Sequence, residues 1–591
     1  MNIGALLISH IQQPIVFYTI VLTIVWLLLQ VIGELSKGTS KLSIWRGVFS
    51  IRILSIIFFI YISLTALLVH LNNIALFPLL HSIMLGIILL IALSVRFENS
   101  KSNLLFTYSV FAIALMPVLV MVATRHPYPL VDDARFSGFA VAINNDGRWI
   151  PYKYHENPYY QFFHLIPFLE YVLAMIAGIG LENVIGFHLP LKIGMYTAYL
   201  LLVYLVVKVL SRSHVIPLVA TLLLSITPPL AMPQVIPQAY AIILLLSVSY
   251  LLLKRIDKGL DARPILAMYL LFASGIVAHA TFTVMCLAFA LPLMLVSVNS
   301  GSRKSIERLL LLLSVASLSY WMYTYVMDII VRPTYDAVER FIDLLTGRAI
   351  PWHGVPQPWY IGETQTFFVA WALIPSTVGA YLLFSVFQHA IKRKMPSFDL
   401  VTLLGFLGLA GTSLNYLLRT IPTFGGRYFY WLYLLMLPLS AIVITKITKK
   451  SISLAVTVLL ISSISFYGIQ DPTLSANTYG NYIAWPDKTD WYIGLSIAPY
   501  INHEALTWLD PRIGNPISSI PRTPMNQTFS AQQVFALIGM DNVGLTAMKK
   551  DPRYIRFFRE NFNIEPDDVK LIVDRENVVL NTGKYLGILK P

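Results

Sequence analysis

The sequence predicts a polytopic α-helical membrane protein with about 14 transmembrane helices, one interfacial helix and a small C-terminal extracytoplasmic α/β domain. Three observations predict it. Apolar runs of about 18–25 residues, the length that crosses a bilayer, recur between residues 14 and 467. Charged residues make up 12% of the 591, where a soluble domain carries roughly 25%. The basic residues stand in short clusters between alternate runs, as they do in cytoplasmic loops.

The first four runs are 14–33, 47–69, 74–95 and 104–123. Residues 1–13 hold no Lys or Arg, so the first run reads as a span and not as a cleaved signal. The link after the first run holds Lys37, Lys41 and Arg46, and the link after the third holds Arg96 and Lys101. The link after the second has neither. The N-terminus is therefore expected outside, and so is the long loop after residue 123. The later basic links are Lys254-Arg255 to Arg263, Arg303-Lys304 to Arg308, Lys392-Arg393-Lys394, and Lys446 to Lys450. Each is expected inside. Runs at 217–232, 239–253, 264–280, 281–297, 309–330, 367–388, 400–418, 428–445 and 452–467 fit that alternation.

Residues 159–180 break it. They are apolar enough to span, but crossing would oblige 190–210 to begin inside, and that run ends at Lys208 and Arg212, which belong inside. The conflict disappears if 159–180 lies in the outer interface with its apolar side in lipid. His164 and Glu170 within it are six residues apart and share no clean helical face.

Residues 468–591 are denser in Pro, Asn, Asp and Arg and read as a soluble external domain. Here 503–509 and 551–562 are expected as helices, and 569–573 and 577–581 as strands. The chain's one Asn-X-Ser/Thr triplet, Asn526-Gln-Thr528, falls in this tail, in agreement with an external position.

The net charge of +13 does not imply a nucleic-acid partner, because the basic excess sits in the links where a membrane protein needs it. Cys286 is the only cysteine, which excludes an intrachain disulfide or a thiolate metal site. No phosphate-cradling glycine loop, dinucleotide fingerprint or Ser/His/Asp signature is found.

The polar residues able to do chemistry collect in the outer links. The first of these, 124–162, carries the pair Asp132-Asp133 and His155. Adjacent carboxylates repel and raise one another's pKa unless a cation stands near. At the mouth of a bundle one can act as general base towards an acceptor hydroxyl. The other can orient the acceptor or bind a divalent cation, magnesium or manganese, through oxygen. Alone, such a pair reads equally well as a solvated loop. Arg427 follows two glycines and opens a span. It reads as a snorkelling arginine or as a bidentate phosphate clamp, with Arg419 as a second candidate. Glu363 ends a Pro- and Trp-rich outer loop, and with His155 and His353 is a candidate for contacts to acceptor or metal. Trp352, Trp359 and Tyr360 read first as an interfacial aromatic belt. His279, at the end of its run, reads as structural.

These motifs resemble a family. Val131-Asp132-Asp133-Ala134 in a first outer loop, then Asn157-Pro158-Tyr159-Tyr160 opening a non-spanning helix, then Phe187-His-Leu-Pro190-Leu-Lys192 before a true span, is similar to the GT-C superfamily of polytopic glycosyltransferases. The likeness is greatest to the protein mannosyltransferase and aminoarabinose transferase branch, where the acidic pair is usually Asp-Glu. Tyr360-Ile-Gly-Glu363-Thr-Gln365 resembles a short loop motif of oligosaccharyltransferase catalytic subunits, and Arg427 falls where those proteins place a phosphate-contacting arginine. The tail lacks their Trp-Trp-Asp-Tyr-Gly motif. The resemblance implies inverting transfer of a sugar from a polyprenyl-phosphate donor to an acceptor hydroxyl at the outer face. It makes Asp132 or Asp133 the base and Arg427 the partner of the departing phosphate. It divides the chain into extra N-terminal helices (1–103), a catalytic module (104–467, with outer loops 124–162 and 331–366) and an external domain (468–591).

A transporter or lipid flippase is the main rival. It needs polar residues strung along a path through the membrane, whereas here they gather at one face. A scaffold whose tail binds partners is a third reading.

Overall fold

The computed structural model describes residues 14–35, 51–71, 76–95, 100–124, 140, 143, 147–148, 165–178, 184–226, 237–255, 262–296, 300–324, 335, 338–339, 342, 346, 366–392, 399–417, 425–448 and 451–469, together with six strands between 506 and 589. Among these residues are fifteen helices: α1 (Pro14–Leu35), α2 (Ile51–His70), α3 (Phe77–Ser94), α4 (Ser100–Thr124), α5 (Leu165–Ala177), α6 (Val184–Ser211), α7 (Val215–Ile226), α8 (Pro237–Arg255), α9 (Ala262–Ala278), α10 (Thr281–Val296), α11 (Ser300–Tyr323), α12 (Thr366–Ile391), α13 (Leu400–Leu417), α14 (Gly425–Ile447) and α15 (Ser451–Ile469). Each of the fourteen expected spans has its helix, and the fifteenth, α5, falls within 159–180. Six helices hold stretches of 18 to 23 apolar residues, long enough to cross a membrane: Ile53–His70, Phe77–Ser94, Lys101–Val120, Pro190–Ser211, Pro237–Lys254 and Val369–Ile391. The protein is a multi-pass helical membrane protein.

The helices form one bundle around α7. That short helix is apolar all round, and every residue from Pro217 to Ile226 is buried, as befits a helix at the centre of a core. It packs against α3, α4, α6, α14 and α15. Its start is fixed locally. Arg212 takes a left-handed turn (φ 50°), and Ser213 Oγ accepts hydrogen bonds from the N–H groups of Val215 (3.2 Å) and Ile216 (3.4 Å). Only three residues, 212–214, therefore separate α6 from α7.

The N-terminal helices are joined to the far end of the chain: α1 packs along α12, and α3 along α15. With little hydrophobic drive between helices in lipid, such contacts rely on close approach and interhelical hydrogen bonds. Both occur. Gly86 of α3 faces Val458 and Ser462 of α15. Tyr61 of α2 and His81 of α3 share a buried hydrogen bond of 2.7 Å, and Thr283 of α10 meets Ser317 of α11 at 2.6 Å.

In the tail, β1 (Leu506–Leu509), β2 (Val543–Lys549), β6 (Tyr585–Leu589) and β5 (Val578–Asn581) form a four-stranded sheet in the order β1-β2-β6-β5. The β1–β2 pair is parallel and the other two are antiparallel. A separate hairpin pairs β3 (Arg556–Phe557) with β4 (Glu560–Asn561). Two expectations are corrected here: 503–509 holds strand β1 and 551–562 holds that hairpin, where helices were expected. Leu-Thr-Trp-Leu suits a pleated surface, and the partner that claims it, β2, lies over thirty residues later. The expected strand at 577–581 coincides with β5. Residues 569–573 lie outside the described residues.

Candidate functional site

The residues expected to do chemistry attach to helix ends. Asp132, Asp133, His155, His353, Glu363 and Arg419 lie outside the described residues, as does the side chain of Arg427. The elements that carry them are described. Helix α4 ends at Thr124, eight residues before Asp132, and α12 begins at Thr366, three after Glu363. Arg419 comes two residues after the end of α13, and Arg427 is the third residue of α14.

Three of these ends are brought together. Helices α12, α13 and α14 pack on one another and are joined by links 392–399 and 418–424. Short links between packed neighbours make them antiparallel. The start of α12, the end of α13 and the start of α14 therefore share one end of the bundle, and Glu363, Arg419 and Arg427 are attached there. Trp431, four residues further along α14, is fully buried.

The packing that fixes this end is close. Gly405, Gly408 and Gly411 line one side of α13 against Leu439, Met436 and Leu432 of α14. A Cβ at Gly408 would come 2.8 Å from the Leu432 carbonyl oxygen, so α14 can sit where it does only because the glycines leave room. Asp399 Oδ1 accepts the Thr402 N–H at 2.8 Å and caps α13. Trp371 of α12 stacks edge-on to Tyr433 of α14, centroids 5.1 Å apart, about two turns from the start of α14.

Helix α5 has thirteen residues, with Ile166, Glu170 and Ala174 buried and Met175 and Ile176 exposed. Its buried side rests on α8 and α9. Glu170 lies with Ile166 and Ala174 on the inward stripe at positions i, i+4 and i+8; His164 lies outside the described residues. Gly178 (φ +62°) ends the helix, with its N–H bonded to the Met175 carbonyl at 3.2 Å.

The sequence reading placed Lys192 within the Phe187-His-Leu-Pro190-Leu-Lys192 motif but gave it no role of its own. It is 1% exposed and stands two residues after Pro190, where α6 becomes an apolar span. A lysine is almost never so buried unless it is paired. The available signal was its position, a single lysine at the end of the run opposite to Lys208 and Arg212. His279 is buried in the two-residue turn between α9 and α10. Its Nδ1 accepts the Thr281 N–H (3.2 Å) and lies 2.6 Å from Thr281 Oγ1. A backbone N–H can only donate, so Nδ1 is the unprotonated nitrogen. This is the structural role expected of His279.

Among the described residues no three His, Cys, Asp or Glu side chains converge on a point that could hold a metal.

No protein-family model matches the sequence, and no curated protein matches it significantly. Similar solved structures include the Archaeoglobus fulgidus oligosaccharyltransferase AglB in complex with an inhibitory peptide and a dolichol-phosphate (12% identity, TM-score 0.47, covering 75% of this chain and 69% of that one). The same enzyme complexed with zinc and sulfate matches at 11% identity and TM-score 0.44, covering 74% and 68%. ArnT from Cupriavidus metallidurans bound to undecaprenyl phosphate matches at 12% and 0.44, covering 82% and 97%. At this identity and with TM-scores below 0.5, neither likeness assigns a residue or a reaction to this chain.

Proposed function

We propose that the protein is a membrane glycosyltransferase of GT-C type that moves a sugar from a polyprenyl-phosphate donor to an acceptor hydroxyl at the extracytoplasmic face. The observation that carries this reading is the common end of α12, α13 and α14. In the sequence Glu363 precedes, Arg419 follows and Arg427 falls within the helix ends that meet there, and loop 124–162 falls on the same side by charge alternation. We infer fourteen crossing helices, α5 at the outer interface, and both the N-terminus and the tail domain outside. Two solved neighbours hold dolichol-phosphate or undecaprenyl phosphate, the lipid carrier that a polyprenyl-phosphate donor releases.

In this mechanism Asp132 or Asp133 takes the proton of the acceptor hydroxyl. The freed oxygen attacks the anomeric carbon as the bond to the phosphate oxygen breaks, with inversion. The proton stays on the aspartate, and the electron pair leaves with the polyprenyl phosphate. Arg427, with Arg419 nearby, meets the charge growing on that phosphate. Lys192, buried near the start of α6, adds a further positive charge on the same side by charge alternation. Glu363, His155 and His353 bind the acceptor or complete an oxygen-rich site for magnesium or manganese, the chemistry that paired carboxylates favour. Zinc is held by one neighbour.

The test is a donor panel offered to the purified protein in lipid. Release of free polyprenyl phosphate is expected from at least one sugar-loaded donor when an acceptor is present. A flippase, the rival reading, would move donors across a vesicle and leave every one of them chemically intact.

A further inference from the structure

We infer that Glu170 is the topological determinant of the protein: its charge, at the midpoint of an apolar run long enough to cross, keeps α5 on the outer side and thereby sets the orientation of everything after it. The inference rests on the charge-alternation reading of the membrane sides but not on the chemistry assigned to the acidic loop.

Residues 159–180 form an apolar run of 22, and Glu170 stands at its centre. A carboxylate is worst tolerated at that depth and least costly near an interface. Of this segment the structure describes the helix Leu165–Ala177 and Gly178. Glu170, 2% exposed, faces α8 and α9, and the opposite side presents Phe168, Met175 and Ile176. The same carboxylate that opposes crossing is thus on the side docked against protein, while the lipid-facing side is wholly apolar. Nothing else in the segment's flank opposes crossing: residues 178–183 hold Glu182 and no Lys or Arg. Lys208 and Arg212, at the far end of α6, are the only later charges nearby that resist an inverted α6.

The experiment reads sidedness, not activity. A cysteine replaces Glu182 and is probed with a membrane-impermeant thiol reagent in intact cells and in inverted vesicles. Native Cys286, 3% exposed in the fold, is replaced by serine in every variant, so that no second thiol reports even where folding fails. With Glu170 present, the probe is expected to label only from outside. Glu170→Leu is expected to move a measurable fraction of the label to the cytoplasmic side, and Glu170→Leu with Lys208→Gln and Arg212→Gln to move more than half. Glu170→Lys is expected to keep all of it outside, since a charge of either sign opposes crossing. Labelling in membranes does not require a folded bundle, so a misfolded variant still reports. Outside-only labelling of the triple variant overturns the inference. So does inversion by Glu170→Lys, which would make docking and not charge the determinant.

Discussion

Arg427 and Lys192 reached the account by different routes. Arg427 was legible in the sequence because two glycines and a span frame it. The structure adds that it is the third residue of α14. Arg427→Ala is expected to lower kcat/KM for transfer about 100-fold, roughly 2.7 kcal/mol of lost charge stabilisation. Arg427→Lys should recover only part of it, because an ammonium cannot form the paired contact of a guanidinium. Steady-state kinetics on the three proteins checks this, and equal rates would remove Arg427 from the site. Lys192 was not legible as functional, because a lone lysine near a span's end reads as snorkelling until its burial is known. At a smaller scale of energy, Tyr61→Phe removes the hydrogen bond to His81. A loss of about 0.6 kcal/mol, with about 1.7 as a ceiling, is expected for one interhelical bond in a membrane protein, read as a small drop in thermal midpoint.

At the scale of elements, the bilayer itself made most of the chain readable. A span must hold about 20 apolar residues, so its length leaves a mark no soluble helix leaves, and helices α1–α4 and α6–α15 lie where the runs predict. Helix α5 was found by the opposite signal, a run that charge alternation would not let cross. A carboxylate at the centre of a span costs about 2.5–3.5 kcal/mol on the insertion scale for acidic and basic residues, enough to decide between crossing and lying flat. The tail lacks such a constraint. There 503–509 and 551–562 were read as helices from local pattern, whereas β1 is claimed by β2 across the intervening chain. No local feature of Leu506–Leu509 reports that partner. The Gly405/Gly408/Gly411 seam belongs to this scale too. Gly408→Leu is expected to destabilise the α13–α14 pair by about 1–3 kcal/mol through overpacking and to lower transfer by shifting the start of α14. A thermal midpoint unchanged from the parent would show that α14 is not held there by the glycines.

The whole molecule reads as a bundle closed on itself, with the N-terminal helices α1 and α3 clasped to α12 and α15 and the candidate chemistry held at one end. The proposed function assigns the acids, arginines and histidines of the outer links to that end. The central claim is that this place transfers a sugar and that the acidic loop supplies the base. It is tested most directly by measuring transfer from a polyprenyl-phosphate-linked sugar by the parent protein and by its Asp132→Asn and Asp133→Asn variants, each confirmed to be inserted and folded. The account predicts that at least one variant falls by about 100- to 10,000-fold, the range of a lost general base. Parent-like rates in both variants would contradict it.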